Sequence, residues 1–189
     1  TLCVSPEDGS LIRAIELCNH GEHSVELTAT DVAPVALAPA ADMRAHAIFR
    51  NLFVESARLA RCAVIFRRRP REKTESCPIL VHMVSTPGSA HCETDYEKLV
   101  GRMGGTMRAD GIAQEMTNTV GTVLNPVSAL QTQVRLAPGE RLRLHFALAL
   151  LDPDASPEKW LDRHLSETLP ERAMQLSMVR AQAMLGFIG

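Results

Sequence analysis

The sequence predicts a mainly β chain: a large antiparallel β-sandwich with a C-terminal helical linker. Three observations carry this reading. Leu142, Leu144, Phe146, Leu148 and Leu150 alternate with Arg141, Arg143, His145, Ala147 and Ala149, the period of two that marks a long strand with one buried face. Short apolar runs broken by Asn, Gly and Pro turn residues fill the chain up to Asp152. At Asp152 the period changes, and Ser156-Pro157 supplies a helix N-cap followed by Pro at the first helical position. Strands first and helices last describe a sandwich with a helical extension.

Taken in order, Leu11 to Cys18 is an apolar-rich run, and Asn19-His20-Gly21-Glu22-His23 is a polar turn. Val25, Leu27 and Ala29 then alternate with Glu26, Thr28 and Thr30, so residues 11–30 read as a hairpin. Val32 to Ala41 holds Pro34 and Pro39 and cannot be a regular helix; it reads as an extended segment or an edge. Asp42 to Arg50 reads as a short helical turn or a loop. Asn51 to Val54 and Cys62 to Arg67 read as strands, and Pro78 to Ser85 as a further short one. Leu130, Thr132, Val134 and Leu136 alternate with polar residues and lead into Ala137-Pro138-Gly139-Glu140, where Pro and Gly occupy the places a type II turn requires. Beyond Pro157, Trp160, Leu161, His164 and Leu165 recur at helical spacing. Pro170 opens a second helix with Met174, Met178, Ala181 and Leu185 along one stripe, a packing surface in search of a partner.

Composition narrows the function. Of 189 residues 46% are apolar and 22% charged, which excludes a disordered chain. Twenty basic against 22 acidic side chains give a net charge of −2, which argues against a nucleic-acid binder. No apolar run approaches the ~20 residues that span a bilayer. Thr1 to Ser10 carries Glu7 and Asp8 where a secretory leader has a basic and then an apolar run, so none is expected. Cys3, Cys18, Cys62, Cys77 and Cys92 are odd in number and form no CxxC pair, so reduced, packed thiols are expected in place of a zinc site or a disulfide framework.

The chemistry-bearing residues form no catalytic pattern. Glu93 and Asp95 stand two apart on a strand and cannot flank a glycosidic bond from both sides; pairing of either with Arg102 is the expected role. His20 and His23 lack further metal ligands, and His145 falls on the polar face of its strand. Arg67-Arg68-Arg69-Pro70-Arg71 has no interleaved aromatics and reads as a solvated hairpin end. Gly101 to Gly105 lacks the phosphate-loop pattern, and Asp152-Pro153-Asp154 lacks the glycine of a calcium loop. Tyr96 and Trp160 are too few to form the aromatic platforms of a sugar-binding module. No cofactor, metal ligand or catalytic residue is assigned.

Several motifs in sequence order nevertheless resemble one family. They are Asn19-His20 through Glu26-Leu27-Thr28; Pro39-Ala40-Ala41-Asp42 with His46 and Phe49; and Leu52-Phe53-Val54. Arg68-Arg69-Pro70-Arg71, Glu93-Thr94-Asp95 with Gly101-Arg102, Gly121 through Asn125-Pro126, and Pro138-Gly139-Glu140 follow. Together they resemble the β "super-sandwich" domain of glycoside hydrolase family 94, most closely that of cyclic β-1,2-glucan synthases and β-1,2-oligoglucan phosphorylases. Glu93, Asp95, Gly101, Arg102, Asn125 and Pro126 are then family-motif positions with a structural role. The resemblance implies a super-sandwich over residues 1–152 and a helical linker over 153–189 toward an (α/α)6 barrel that holds the catalytic residues. It implies a non-catalytic module of a glycosyltransferase or glycoside phosphorylase, on the cytoplasmic side of a membrane-anchored whole. The barrel is the expected partner, with β-glucan and a second copy of the chain as further candidates, and nucleic acid and direct membrane insertion are not expected. The alternative is a stand-alone glucan-binding or structural β-sandwich domain.

Overall fold

A computed structural model of the chain describes residues 1–38, 51–70, 72, 75–86, 88–101, 112 and 114–186. It contains ten strands: β1 (Leu2–Val4), β2 (Leu11–Cys18), β3 (Val25–Pro34), β4 (Val54–Ala60), β5 (Ala63–Arg68), β6 (Ile79–Val84), β7 (His91–Asp95), β8 (Gly121–Thr122), β9 (Pro126–Leu136) and β10 (Arg141–Leu151). The described residues also form the helices α1 (Tyr96–Val100), α2 (Pro157–His164) and α3 (Leu169–Gly186). The larger sheet has seven strands in the order β1-β2-β10-β6-β5-β4-β8, and the smaller has three, β3-β9-β7. Every strand pairing in both is antiparallel. The expected sandwich with a terminal helical segment is therefore present.

The core lies between the sheets and is built by strands whose two faces are both covered. Phe66, Val81, Met83, Ile12, Leu130 and Phe146 are among its fully buried side chains. All six residues of β6 are buried, which explains its run of Ile, Leu, Val and Met without alternation.

Several local readings change. β2 and β3 are not a hairpin: β2 pairs with β1 and β10 in the larger sheet, and β3 pairs with β9 in the smaller. The turn between them is a corner at which the chain changes sheet. Residues 51–53 form a turn, and the strand begins at Val54 and runs to Ala60. Exposed Glu55 and Ala57 alternate with buried Val54 and Ser56, and the polar Glu55, Ser56 and Arg58 hid this half-buried strand. β10 is covered on both faces at its centre, Leu144 to Ala147, because it lies third from one edge of the larger sheet and α2 covers its outer side. His145 is accordingly buried and not on a solvated face.

The predicted turn at 137–140 is present: Gly139 has φ +73° and the Glu140 amide donates to the Ala137 carbonyl at 3.1 Å. So is the helix start, where Ser156 accepts a hydrogen bond from the Lys159 amide. Residues 42–49, Pro39 to Ala41, Arg71 and Met103 to Gly105 lie outside the described residues, and the readings made for them are not addressed further.

Candidate functional site

Three constellations hold several of the polar side chains that the sandwich buries, among them Glu93, His82, Ser128, His145 and His164. The first joins the motif positions. Glu93, in β7, is buried, and its carboxylate accepts from the Thr94 and Asp95 amides at 3.0 and 2.9 Å and from the Thr117 hydroxyl at 2.9 Å. Asp95 caps α1 by accepting from the Glu97 amide, and the register slips between Glu93 and Asp95. Gly101 ends α1 at φ +74°, with its amide donating to the Glu97 carbonyl. The Asn125 carbonyl accepts from the Tyr96 amide at 3.0 Å, and Pro126 stands opposite Asp95 across the β7–β9 ladder. Glu93, Asp95, Gly101, Asn125 and Pro126 thus meet at one corner; Arg102 lies outside the described residues.

The second constellation spans the sandwich and was not visible in the sequence. Arg13 of β2 pairs with Asp31 of β3. His82 of β6 lies with Nε2 3.0 Å from Asp31 Oδ2 and Nδ1 2.8 Å from Ser128 Oγ of β9. With its ring proton on Nε2, facing the carboxylate, His82 accepts at Nδ1 from the Ser128 hydroxyl. Burial raises the Asp31 carboxyl, but the His82 contact and Arg13 outweigh it and hold it below the ordinary carboxylate value. Burial pushes His82 down, against the opposing pull of Asp31, so the ring is kept neutral. Serine, histidine and aspartate in line invite comparison with a hydrolytic triad. Here serine meets Nδ1 and the carboxylate Nε2, the reverse of the chymotrypsin arrangement. His82 and Ser128 are both 0% exposed, so no substrate reaches the hydroxyl. The assembly ties the sheets together.

The third constellation fastens the helices to the start of the chain. Trp160 of α2 donates from Nε1 to Ser10 Oγ at 3.1 Å, and its ring stacks on His164 at 4.0 Å between centroids. His164 Nδ1 lies 2.8 Å from the Trp160 carbonyl, Nε2 lies 3.2 Å from Asp8 Oδ2, and His145 Nε2 donates to the His164 carbonyl at 2.8 Å. Arg163 also reaches Asp8, at 2.9 Å.

Little else offers chemistry. A cleft between the outer face of β2 and β10 and the start of α3 is lined by Glu16, Arg141, Arg143 and Glu171, which pair with one another at 3.0–3.6 Å. All five cysteines are free. Burial raises the Cys62 and Cys92 thiols, the reverse of nucleophile activation. Among the described residues no group of three or more His, Cys, Asp and Glu side chains is placed to hold a metal ion, and no helix is long and apolar enough to cross a membrane.

Two antiparallel sheets tied by buried polar contacts such as His82 to Ser128 define a β-sandwich domain. Residues 1–167 match the model of the glycosyl hydrolase 94 supersandwich domain, and the chain belongs to that family. No curated protein matches the chain.

Proposed function

We propose that this chain is the non-catalytic sandwich module of an enzyme that makes or phosphorolyses β-1,2-glucans, and that it packs on the catalytic barrel and helps shape its entrance. In this reading residues 1–152 are the sandwich proper and 153–189 the linker. Glu93, Asp95, Gly101, Asn125 and Pro126 shape one corner of it, Arg102 is a further family-motif position, and the module lies on the cytoplasmic side of a membrane-anchored whole. Membership in the glycosyl hydrolase 94 supersandwich family supports a catalytic partner domain.

The observation that carries the docking role is the state of α3. Its first turns are fixed to the sandwich through buried Leu169 and Ala173. Beyond Ser177, Met178, Val179, Met184 and Leu185 stand 54 to 69% exposed, and between Met178 and Gly186 only Arg180 and Gln182 are polar. A helix that is apolar on most sides belongs in a protein interior or an interface. The barrel is the partner that the family supplies.

The test is made on the full-length enzyme. Met178→Glu with Met184→Glu should leave this chain's own stability within about 0.5 kcal/mol, because both side chains are exposed. The same pair should lower the melting temperature and the phosphorolysis of β-1,2-glucooligosaccharides by the whole enzyme. Unchanged activity and stability would remove the docking role, and activity confined to a different linkage would remove the glucan assignment. Calorimetric titration of the isolated chain with β-1,2-glucooligosaccharides addresses stand-alone binding; no heat is expected, since Trp160 is buried and committed to Ser10.

A further inference from the structure

The helical segment changes character at Ser177. Up to that residue it is built into the sandwich. Trp160, Leu161, Leu169 and Ala173 belong to the same buried cluster as Phe66, Val81 and Phe146. Polar ties reach the segment from separate stretches of the chain. β10 contributes His145, at 2.8 Å from the His164 carbonyl, and Arg143, at 3.0 Å from Glu171. The turn over 5–10 contributes Ser10, Asp8 and Glu7, which meet Trp160, Arg163 and Arg172. β1 contributes the Val4 carbonyl, which accepts from Ser177 Oγ at 2.6 Å. From Leu169 to Ser177, about two turns of helix, α3 is thus held from several directions and cannot pivot on any one of them. Beyond Ser177 every residue to Gly186 is exposed, yet α3 runs on with neither Pro nor Gly between Glu171 and Leu185. Without those common sources of a kink, the free half of the helix keeps the direction of the fixed half.

We propose that the helical linker has two parts: residues 157–177 fold with the sandwich as one unit, and 178–186 form a rigid arm that presents Met178, Val179, Met184 and Leu185 to the catalytic domain of the same protein in one fixed direction. The folding unit therefore extends past residue 167, where the family match ends. The arm reaches about 13 Å beyond its last tie, at 1.5 Å per residue. A flexible linker would let the two domains take many orientations. An arm fixed at its base sets one, and the ordering is done when the sandwich folds, so docking costs less entropy. The folding unit and the stiffness of the arm stand on the contacts above. The target of the arm rests on the docking role proposed above.

Native-state hydrogen exchange of the chain in increasing urea tests the folding unit. The slowest amides of α2 and of residues 173–177 should open together with those of β5 and β6 in one global transition, while residues 182–186 exchange far faster. A separate, earlier opening of α2 or of 173–177 overturns the unit. Leu161→Ala adds a second readout: it should lower protection in β6 by the same factor as in α2, roughly thirtyfold or more. Loss confined to α2 overturns the unit as well. The arm is tested in the full-length enzyme by one alanine inserted between Ser177 and Met178, which turns the exposed side chains by about 100° and moves them about 1.5 Å while leaving every tie in place. Phosphorolysis should fall as it does in Met178→Glu with Met184→Glu. Activity kept by the insertion but lost in the double variant overturns the rigid arm. Shared opening in an enzyme that neither change affects upholds the folding unit and removes the docking role.

Discussion

His82 Nδ1 stands 2.8 Å from Ser128 Oγ, and this one contact bridges the two sheets at a point where both residues are fully buried. Both side chains are 0% exposed, so neither group can turn to water instead. Ser128→Ala should therefore cost about 1–3 kcal/mol, the range for leaving a buried acceptor unpaired, measured by urea unfolding. His82→Gln should cost at least as much, because Asp31 loses its neighbour across the sandwich as well. If either variant unfolded at the wild-type midpoint, the contact would be incidental to stability.

The three buried histidines give the fold an acid limit above that set by its carboxylates. His82, His145 and His164 are all pushed below the ordinary value of 6.5, chiefly by burial. A histidine so depressed binds protons less well folded than unfolded. Its stabilising contribution is present above pH 6.5 and is lost as pH falls through that value. Asp8 and Asp31 are held below 3.8, so their contribution is lost only as pH falls below about 4. Chemical denaturation from pH 8 to 3 should show two declines, the first beginning near pH 6.5. Replacing all three histidines with asparagine should remove the first and leave the second.

How much of this was legible depends on the distance in sequence over which a feature is built. The strand at Arg141–Leu151, the 137–140 turn and the Ser156 cap are local, and the residues that make them are neighbours. The reading failed where a strand's partner lay elsewhere. Residues 11–30 have the turn chemistry of a hairpin, yet β2 finds β10 and β3 finds β9, both far away in sequence. His145 sits among Arg141 and Arg143 in the pattern, and only α2 packing over it makes it a core residue. Of the candidate site, the corner of Glu93, Asp95 and Asn125 was marked by its motifs. Arg13, Asp31, His82 and Ser128 come from four strands, and no spacing in the sequence links them.

Gly139 carries the turn between β9 and β10 at φ +73°, a conformation that L side chains rarely adopt. Space is no obstacle, since a Cβ built there meets nothing within 4 Å. Gly139→Ala therefore isolates the backbone term and should destabilise by about 1–2 kcal/mol. Thermal unfolding with unchanged near-ultraviolet circular dichroism would show the loss without rearrangement. An unchanged midpoint would mean that the turn adopts another form in solution.

Asn19 locks the two corners at which the chain changes sheet, and its replacement tests how the sandwich is closed. Its Nδ2 donates to the His23 carbonyl at 2.8 Å and to the Leu136 carbonyl at 3.0 Å, and its Oδ1 accepts from the Gly21 amide at 2.9 Å. Its backbone exchanges bonds with the other corner: its amide donates to the Glu140 carbonyl, and its carbonyl accepts from the Gly139 amide. The residue is buried, so the Leu136 carbonyl has little chance of finding water if the amide is removed. Asn19→Ala keeps the backbone bonds and loses three side-chain ones, with an expected cost of about 1–3 kcal/mol. Asn19→Asp keeps the acceptor for Gly21 but turns a carboxylate toward two carbonyl oxygens, so it should cost more than alanine does. Urea unfolding of the two variants orders them. Aspartate equal to wild type would show that the Nδ2 bonds contribute nothing, whereas the order wild type, Ala, Asp places the closure of the sandwich on this amide.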